Sequence, residues 1–281
     1  MAEPTPFYES VREQVGRGPL GCVGIDPSSA LLEGWGLPDS PDGALSFALA
    51  LLDAAHGAVR AVKPQVAYFE RFGAEGYAVL ARVIARARDM GLLVVADAKR
   101  GDISTTSDAY GQAWIGPSAP LQVDALTVTA YLGFGALEPI FQRAAKHGAY
   151  VFVVARSSNP EGVALQEAAD PKIWISLLDD IAAWSERHHP TTVGAVVGAT
   201  VPADLDLALQ RLPQALFLAP GIGEQGATLC DLMQLNLPLD RVIASSSRAV
   251  AEQGPDLDDL REAIKSLTEV PDEEDSVAAK R

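Results

Sequence analysis

Short apolar runs recur along the chain, and each is followed by a longer segment whose apolar positions repeat every third or fourth residue. The runs at 20–25, 61–66, 92–99, 125–130, 149–155, 193–199, 215–219 and 241–244 read as strands. Helical spacing follows at 44–59, 75–90, 103–114, 136–147, 173–187, 228–235 and 257–267, and Pro202 opens one more helix where its missing N–H is harmless. A short amphipathic helix, 7–18, precedes the first strand, with Phe7, Val11 and Val15 on one face. Ser104 or Asp102 is the expected cap of the helix at 103–114. Strands alternating with helices imply a parallel sheet, and eight units at this length imply a closed (β/α)8 TIM barrel, α/β in class. A doubly wound open sheet is the competing architecture. The barrel domain is expected over 1–269 and an acidic, mobile tail over 270–281; the Gly-, Pro- and Asp-rich stretch 28–41 reads as a loop.

One strand end breaks the pattern. Leu92-Leu93-Val94-Val95-Ala96 runs straight into Asp97-Ala98-Lys99-Arg100-Gly101-Asp102-Ile103. Alternation puts Asp97 and Lys99 on the face of Leu93 and Val95. An acid and a base at the end of a buried strand cost desolvation energy unless paired or used, so this is either a structural ion pair or part of a site. In a barrel the C-terminal strand ends share one rim. Asp26, Lys63, Asp97, Lys99 and Asp102 therefore gather there, with Arg156-Ser157-Ser158-Asn159-Pro160 after the fifth strand. The last two strands end in Pro220-Gly221-Ile222-Gly223, with Gln225 beyond, and in Ser247-Arg248. Loops seven and eight of a barrel often hold phosphate, and glycine backbone with an arginine fork suits an anion.

Charge and composition narrow the chemistry. The formal net charge of −15 argues against binding nucleic acid or an anionic membrane, but leaves room for a locally positive site. No stretch is long and apolar enough to span a membrane, and Met1 to Ser10, with Glu3, Pro4 and no apolar run, is not expected to act as a signal peptide. Cys22 and Cys230 show neither metal nor redox spacing and fit buried thiols in a reducing cytoplasm. His56, His147, His188 and His189 fall on helices or their ends, so no metal cluster is expected. Ser157 and Ser158 have no evident base partner. The order Lys63, Asp97, Lys99, Asp102 alternates in sign, which keeps carboxylates ionised and ammoniums protonated; that favours a cationic acid over the free amine a Schiff base needs.

Asp97-x-Lys99-x-x-Asp102-Ile103 at the end of a third barrel strand resembles the signature of the orotidine 5'-phosphate decarboxylases. The likeness continues through Val23-Gly24-Ile25-Asp26-Pro27, Lys63-Pro64, Ser158-Asn159-Pro160, Val197-Gly198-Ala199-Thr200, the 220–225 stretch and Ser245-Ser246-Ser247-Arg248, in the form of the longer bacterial subgroup found in actinomycetes. The resemblance implies a cofactor-independent, metal-free lyase that converts orotidine 5'-monophosphate to UMP in pyrimidine synthesis. Lys99 would protonate C6, Asp97 would face the substrate carboxylate, and Lys63 would bond Asp97 and the ribose. Asp26 would accept from the ribose, Ser158 would read the pyrimidine, and Pro220, Gly223, Gln225 and Arg248 would line the phosphate end. It further implies a homodimer whose Asp102, Ile103 and Thr106 reach the partner's substrate.

Ser247 stands where many such enzymes have glycine. Two other readings compete. A metal-dependent 3-keto-L-gulonate 6-phosphate decarboxylase would want acids at the early strand ends, where Lys63 stands; a non-catalytic phospho-ligand barrel would not need Lys99.

Overall fold

The computed structural model describes residues 6–14, 19–188, 191–221 and 239–265. Eight strands, β1 (Leu20–Ile25), β2 (Ala61–Pro64), β3 (Leu93–Arg100), β4 (Ala125–Val128), β5 (Tyr150–Arg156), β6 (Val193–Val197), β7 (Phe217–Pro220) and β8 (Val242–Ser246), close in sequence order into one parallel barrel. Closure comes from β8 pairing with β1, with Cys22 opposite Ser245 and Val23 opposite Ser246. The open-sheet alternative is thereby excluded.

Alternation sorts each strand. Leu20, Cys22, Ala61, Val95, Ala125, Tyr150, Phe152, Val196, Leu218 and Ile243 fill the barrel, while Val23, Ile25, Val62, Val94, Leu126 and Val151 face the helices. The first helix, α1 (Phe7–Gln14), plugs the N-terminal mouth. Its Phe7 ring lies 5.7 Å from Tyr150 and 6.1 Å from Phe152, and Arg12 pairs with Asp240.

The outer layer is α2 (Ser29–Gly34), α3 (Pro41–Ala55), α4 (Ala67–Glu70), α5 (Gly73–Asp89), α6 (Ser104–Trp114), α7 (Glu138–His147), α8 (Val163–Gln166), α9 (Ile173–Arg187), α10 (Pro202–Arg211), α11 (Arg248–Ala251) and α12 (Leu257–Lys265). Long helices form where apolar positions keep helical spacing: α3 buries Phe47, Leu51 and Leu52, and α9 buries Trp174, Leu178, Ile181 and Trp184.

Three expectations change. Stretch 28–41 is not all loop, because Ser28 caps α2 by accepting from Leu31 N at 3.3 Å and Ser40 caps α3 by accepting from Gly43 N at 3.2 Å. The cap of α6 is neither Ser104 nor Asp102: the capping position is Ile103, with no side-chain bond, and the Asp102 carboxylate turns back to Ile103 N at 2.7 Å. The eighth strand begins at Val242, since Arg241 ends a short 3-10 turn. The expected helix at 228–235, the tail 270–281, Cys230, His189, Gly223 and Gln225 lie outside the described residues. Among those described, no helix is long and apolar enough to cross a membrane, and no group of three or more His, Cys, Asp or Glu side chains could hold a metal ion.

Candidate active site

The C-terminal rim carries the charges the sequence placed there, with Asp97 as the hub. Its Oδ1 accepts from Lys99 Nζ at 2.6 Å and Thr127 Oγ1 at 2.9 Å; its Oδ2 accepts from Gln65 Nε2 at 2.9 Å and Lys63 Nζ at 3.4 Å. Both oxygens are thus doubly satisfied in a site where Asp97 is 8% exposed and Lys63 5%. The two ammoniums differ in access: the Lys63 side chain is 6% exposed, that of Lys99 48%. Lys63 is locked in; Lys99 reaches the open rim.

Local backbone creates that difference. Between Ala96 opposite Leu126 and Arg100 opposite Val128, β3 advances farther than β4, so the ladder is irregular over Asp97 to Lys99. Lys99 takes up the excess at φ +48°, a left-handed conformation that costs a non-glycine residue about 1 kcal/mol or more. Lys99 N is held on Thr127 Oγ1 at 3.0 Å. Next to it, the Arg100 guanidinium pairs with Glu70 and donates to Ala98 O at 3.2 Å and to Tyr77 Oη at 3.1 Å. Such irregularities re-aim a side chain at a sheet rim.

Electrostatics follow from the geometry. For Asp97 the largest single influence is burial, which favours the neutral acid, yet the charges of Lys63 and Lys99 and the hydrogen bonds from Lys99 and Thr127 together bring its carboxyl down to about 2. For Lys63 burial again acts most strongly and opposes charge, but Asp97 and Asp26 outweigh it and raise the ammonium above its usual range. Beneath Lys63, burial pushes the Cys22 thiol up to about 12, so it stays neutral and inert.

The other expected residues take these places. Asp26 directly follows β1, partly buried, and its Oδ1 has no hydrogen-bond partner among the described residues. Asp102 is half-buried, and among the described residues its carboxylate makes no ion pair, so it is not part of the Lys63–Asp97–Lys99 cluster within one chain. Ile103 is 57% exposed and Thr106 is exposed. Beside them, Thr129 N donates to Arg100 O at 2.8 Å, and the loop that follows presents Tyr131 and Leu132, 80% and 55% exposed. Ser158 is half-buried in the loop after β5, which Gly198 N ties to β6 through Arg156 O at 2.9 Å. Pro220 ends β7 opposite Ser245, and Arg248 opens α11. Arg156 is the exception. It is buried and turned away to Asp204 at 2.8 Å and Glu167 at 3.0 Å, anchoring α10 and the 160s loop.

Gln65 and Thr127 are the residues the sequence reading missed. Each stands one strand period along an inward face already marked, Gln65 two beyond Lys63 and Thr127 two beyond Ala125, so alternation could have found both.

Comparison with known proteins identifies relatives that span most of the chain. The family model described as "Orotidine 5'-phosphate decarboxylase / HUMPS family" matches residues 19–273. The orotidine 5'-phosphate decarboxylase of Salinispora tropica is 47% identical over 253 residues, 88% of this chain and 90% of the relative. That of Myxococcus xanthus is 42% identical over 275 residues, 94% of each. A crystal structure from Streptomyces avermitilis ma-4680 superposes with TM-score 0.86 at 40% identity, covering 100% of this chain and 98% of that one. The structure of Leishmania donovani OMP decarboxylase gives TM-score 0.76 at 31% identity over 92% of this chain and 95% of that one.

Proposed function

The chain belongs to the orotidine 5'-phosphate decarboxylase family, and from that premise we propose how its rim residues divide the work. Its reaction converts orotidine 5'-monophosphate to UMP and CO2. One observation carries the assignment of roles: Asp97 is shared by two ammoniums, of which only Lys99 reaches open space. Lys99 is the general acid. As the bond from C6 to the carboxylate breaks, its electron pair stays on C6; the proton on Lys99 Nζ moves there, and CO2 departs. The neutral amine left behind takes its proton back from solvent.

Asp97 faces the substrate carboxylate, the group that loses its negative charge as neutral CO2 departs and the electron pair stays on C6. A fixed anion beside it weakens its binding in the ground state and not in the transition state, while the nearby ammoniums favour the carbanion. Lys63, held on Asp97, bridges to the ribose. The unpartnered Oδ1 of Asp26 suits a ribose hydroxyl, Ser158 the pyrimidine amide, and Pro220, Gly223, Gln225 and Arg248 the phosphate end. Purified enzyme is expected to decarboxylate orotidine 5'-monophosphate in the presence of EDTA, since an ammonium, Lys63, stands where a metal site would want another acid. Loss of orotate absorbance reads this; well-folded protein that leaves the absorbance unchanged would overturn the assignment.

The reading includes a cytoplasmic homodimer with shared sites. Asp102 is not bonded to its own chain's cluster, and Ile103, Tyr131 and Leu132 present apolar surface beside it. Asp102, Ile103 and Thr106 then complete the partner's site. Lys99→Ala and Asp102→Ala enzymes, each inactive alone, are expected to regain turnover when unfolded and refolded together, because a mixed dimer holds one intact site. A mixture as inactive as its components would place Asp102 in its own chain's site.

A further inference from the structure

Helix α11 is a single turn. Its backbone bonds are Ala251 N on Ser247 O at 2.9 Å, Glu252 N on Arg248 O at 2.8 Å, Gln253 N on Val250 O at 3.1 Å and Gly254 N on Ala251 O at 3.2 Å, all local to one turn and unable to fix its position against the barrel. Its first residue is Arg248, so whatever fixes α11 fixes the start of that side chain. Two contacts from distant parts of the chain do so. At the N-terminal end, Ser247 follows the last rung of the β8–β1 ladder, Val23 opposite Ser246, and packs onto Gly24 of β1. A Cβ built on Gly24 would fall 2.0 Å from Ser247 Oγ and 2.8 Å from Ser247 Cβ, so only glycine leaves room. At the C-terminal end, the indole of Trp35, just past α2, donates from Nε1 to Ala251 O at 2.8 Å in a buried bond.

Trp35 is itself well seated. It is 9% exposed, its ring lies 4.5 Å from Phe47 of α3, and a Cβ on Gly254 would come within 2.2 Å of it. The stretch 28–41, which had no role on sequence grounds, thus reaches across to the segment after β8. A buried hydrogen bond to the last carbonyl of a one-turn helix is a directional restraint that apolar packing of Val250 and Ala251 alone would not supply.

We propose that Trp35 and Gly24 are positioning residues for phosphate binding: the Trp35–Ala251 bond and the Gly24–Ser247 contact clamp α11 at its two ends and so set Arg248 on the nucleotide phosphate. The proposal rests on the phosphate role given to Arg248 above, and extends it to residues that touch no substrate. It also accounts for a serine at 247, whose side chain occupies the space that Gly24 leaves.

The test compares inhibition constants of UMP and uridine, which differ only in the phosphate. Trp35→Phe keeps a ring but loses the donor; it is expected to weaken UMP by about tenfold while uridine holds its value. Gly24→Ala is expected to act in the same direction, and Gly24→Ala/Ser247→Gly to recover UMP binding, because the second change removes the atoms that the first would strike. Arg248→Ala, run alongside, should abolish the preference for UMP. If Arg248→Ala loses that preference while folded Trp35→Phe and Gly24→Ala keep it, or if either variant weakens both ligands equally, the clamp is overturned. If Arg248→Ala keeps the preference, the phosphate reading fails and the clamp with it. Should Trp35→Phe not fold, the Gly24 pair decides alone.

Discussion

Lys99→Ala is expected to lower kcat by about four orders of magnitude or more, with UMP still binding within about threefold of its normal affinity. The proton that ends on C6 needs a donor in place when the carbanion forms. Lys99 is the charged donor of the cluster with an open approach: its side chain is 48% exposed, while that of Lys63 is 6% exposed and turned to Asp97. Water could replace the proton but not the positive charge beside C6, so the loss exceeds that of a proton donor alone. UMP has no carboxylate at C6 and no developing charge, so its affinity samples the ribose and phosphate contacts and stays in place. Turnover is read by orotate absorbance and affinity by calorimetry. Near-normal turnover would remove Lys99 as the acid; a collapse of UMP affinity would mean the substitution disturbed the rim generally.

The barrel was legible because its signal is periodic. Eight apolar runs with intervening helical spacing leave few topologies, and the inward set Leu93, Val95 and Asp97 falls where alternation puts it. The rim was legible for the same reason, since strand order and strand direction bring the ends together. What could not be read is conformation that departs from the period. The irregular ladder between β3 and β4 and the positive φ of Lys99 decide which ammonium is buried and which is exposed, and no residue in 97–100 announces them. Arg156 shows the complementary error. It lies in the C-terminal half of a strand as Lys63 and Asp97 do, but its partners Asp204 and Glu167 stand on later segments, so only the folded structure reveals it as an anchor. Stretch 28–41 misled through composition: glycine and proline punctuate it, yet Ser28 and Ser40 cap helices inside it and at its end.

Stability and chemistry meet at the hub. Asp97→Asn is expected to reduce kcat by about a thousandfold or more and to destabilise the fold by about 3 kcal/mol at neutral pH. The carboxylate offsets the burial of Lys63, whose remaining acidic neighbour is Asp26. Without Asp97's charge, burial dominates, Lys63 tends to its neutral form, and Lys99 loses the partner that aims it. The pH dependence separates this from loosened packing. In the native enzyme the Asp97 carboxyl lies at about 2, against 3.8 for the unperturbed group. A depressed folded-state value stabilises the fold at pH above about 4, and that contribution is lost as pH falls towards about 2; a depression from 3.8 to about 2 corresponds to about 2.5 kcal/mol. Asparagine cannot titrate, so the variant's denaturation midpoint should fall less steeply with acid across that window, starting from a lower value at pH 7. Urea unfolding at pH 7 and pH 3 for both proteins measures it. If the two lose stability in parallel on acidification, Asp97 is not the carboxylate that couples this fold to pH, and the charge-paired hub would have to be abandoned as the source of both effects.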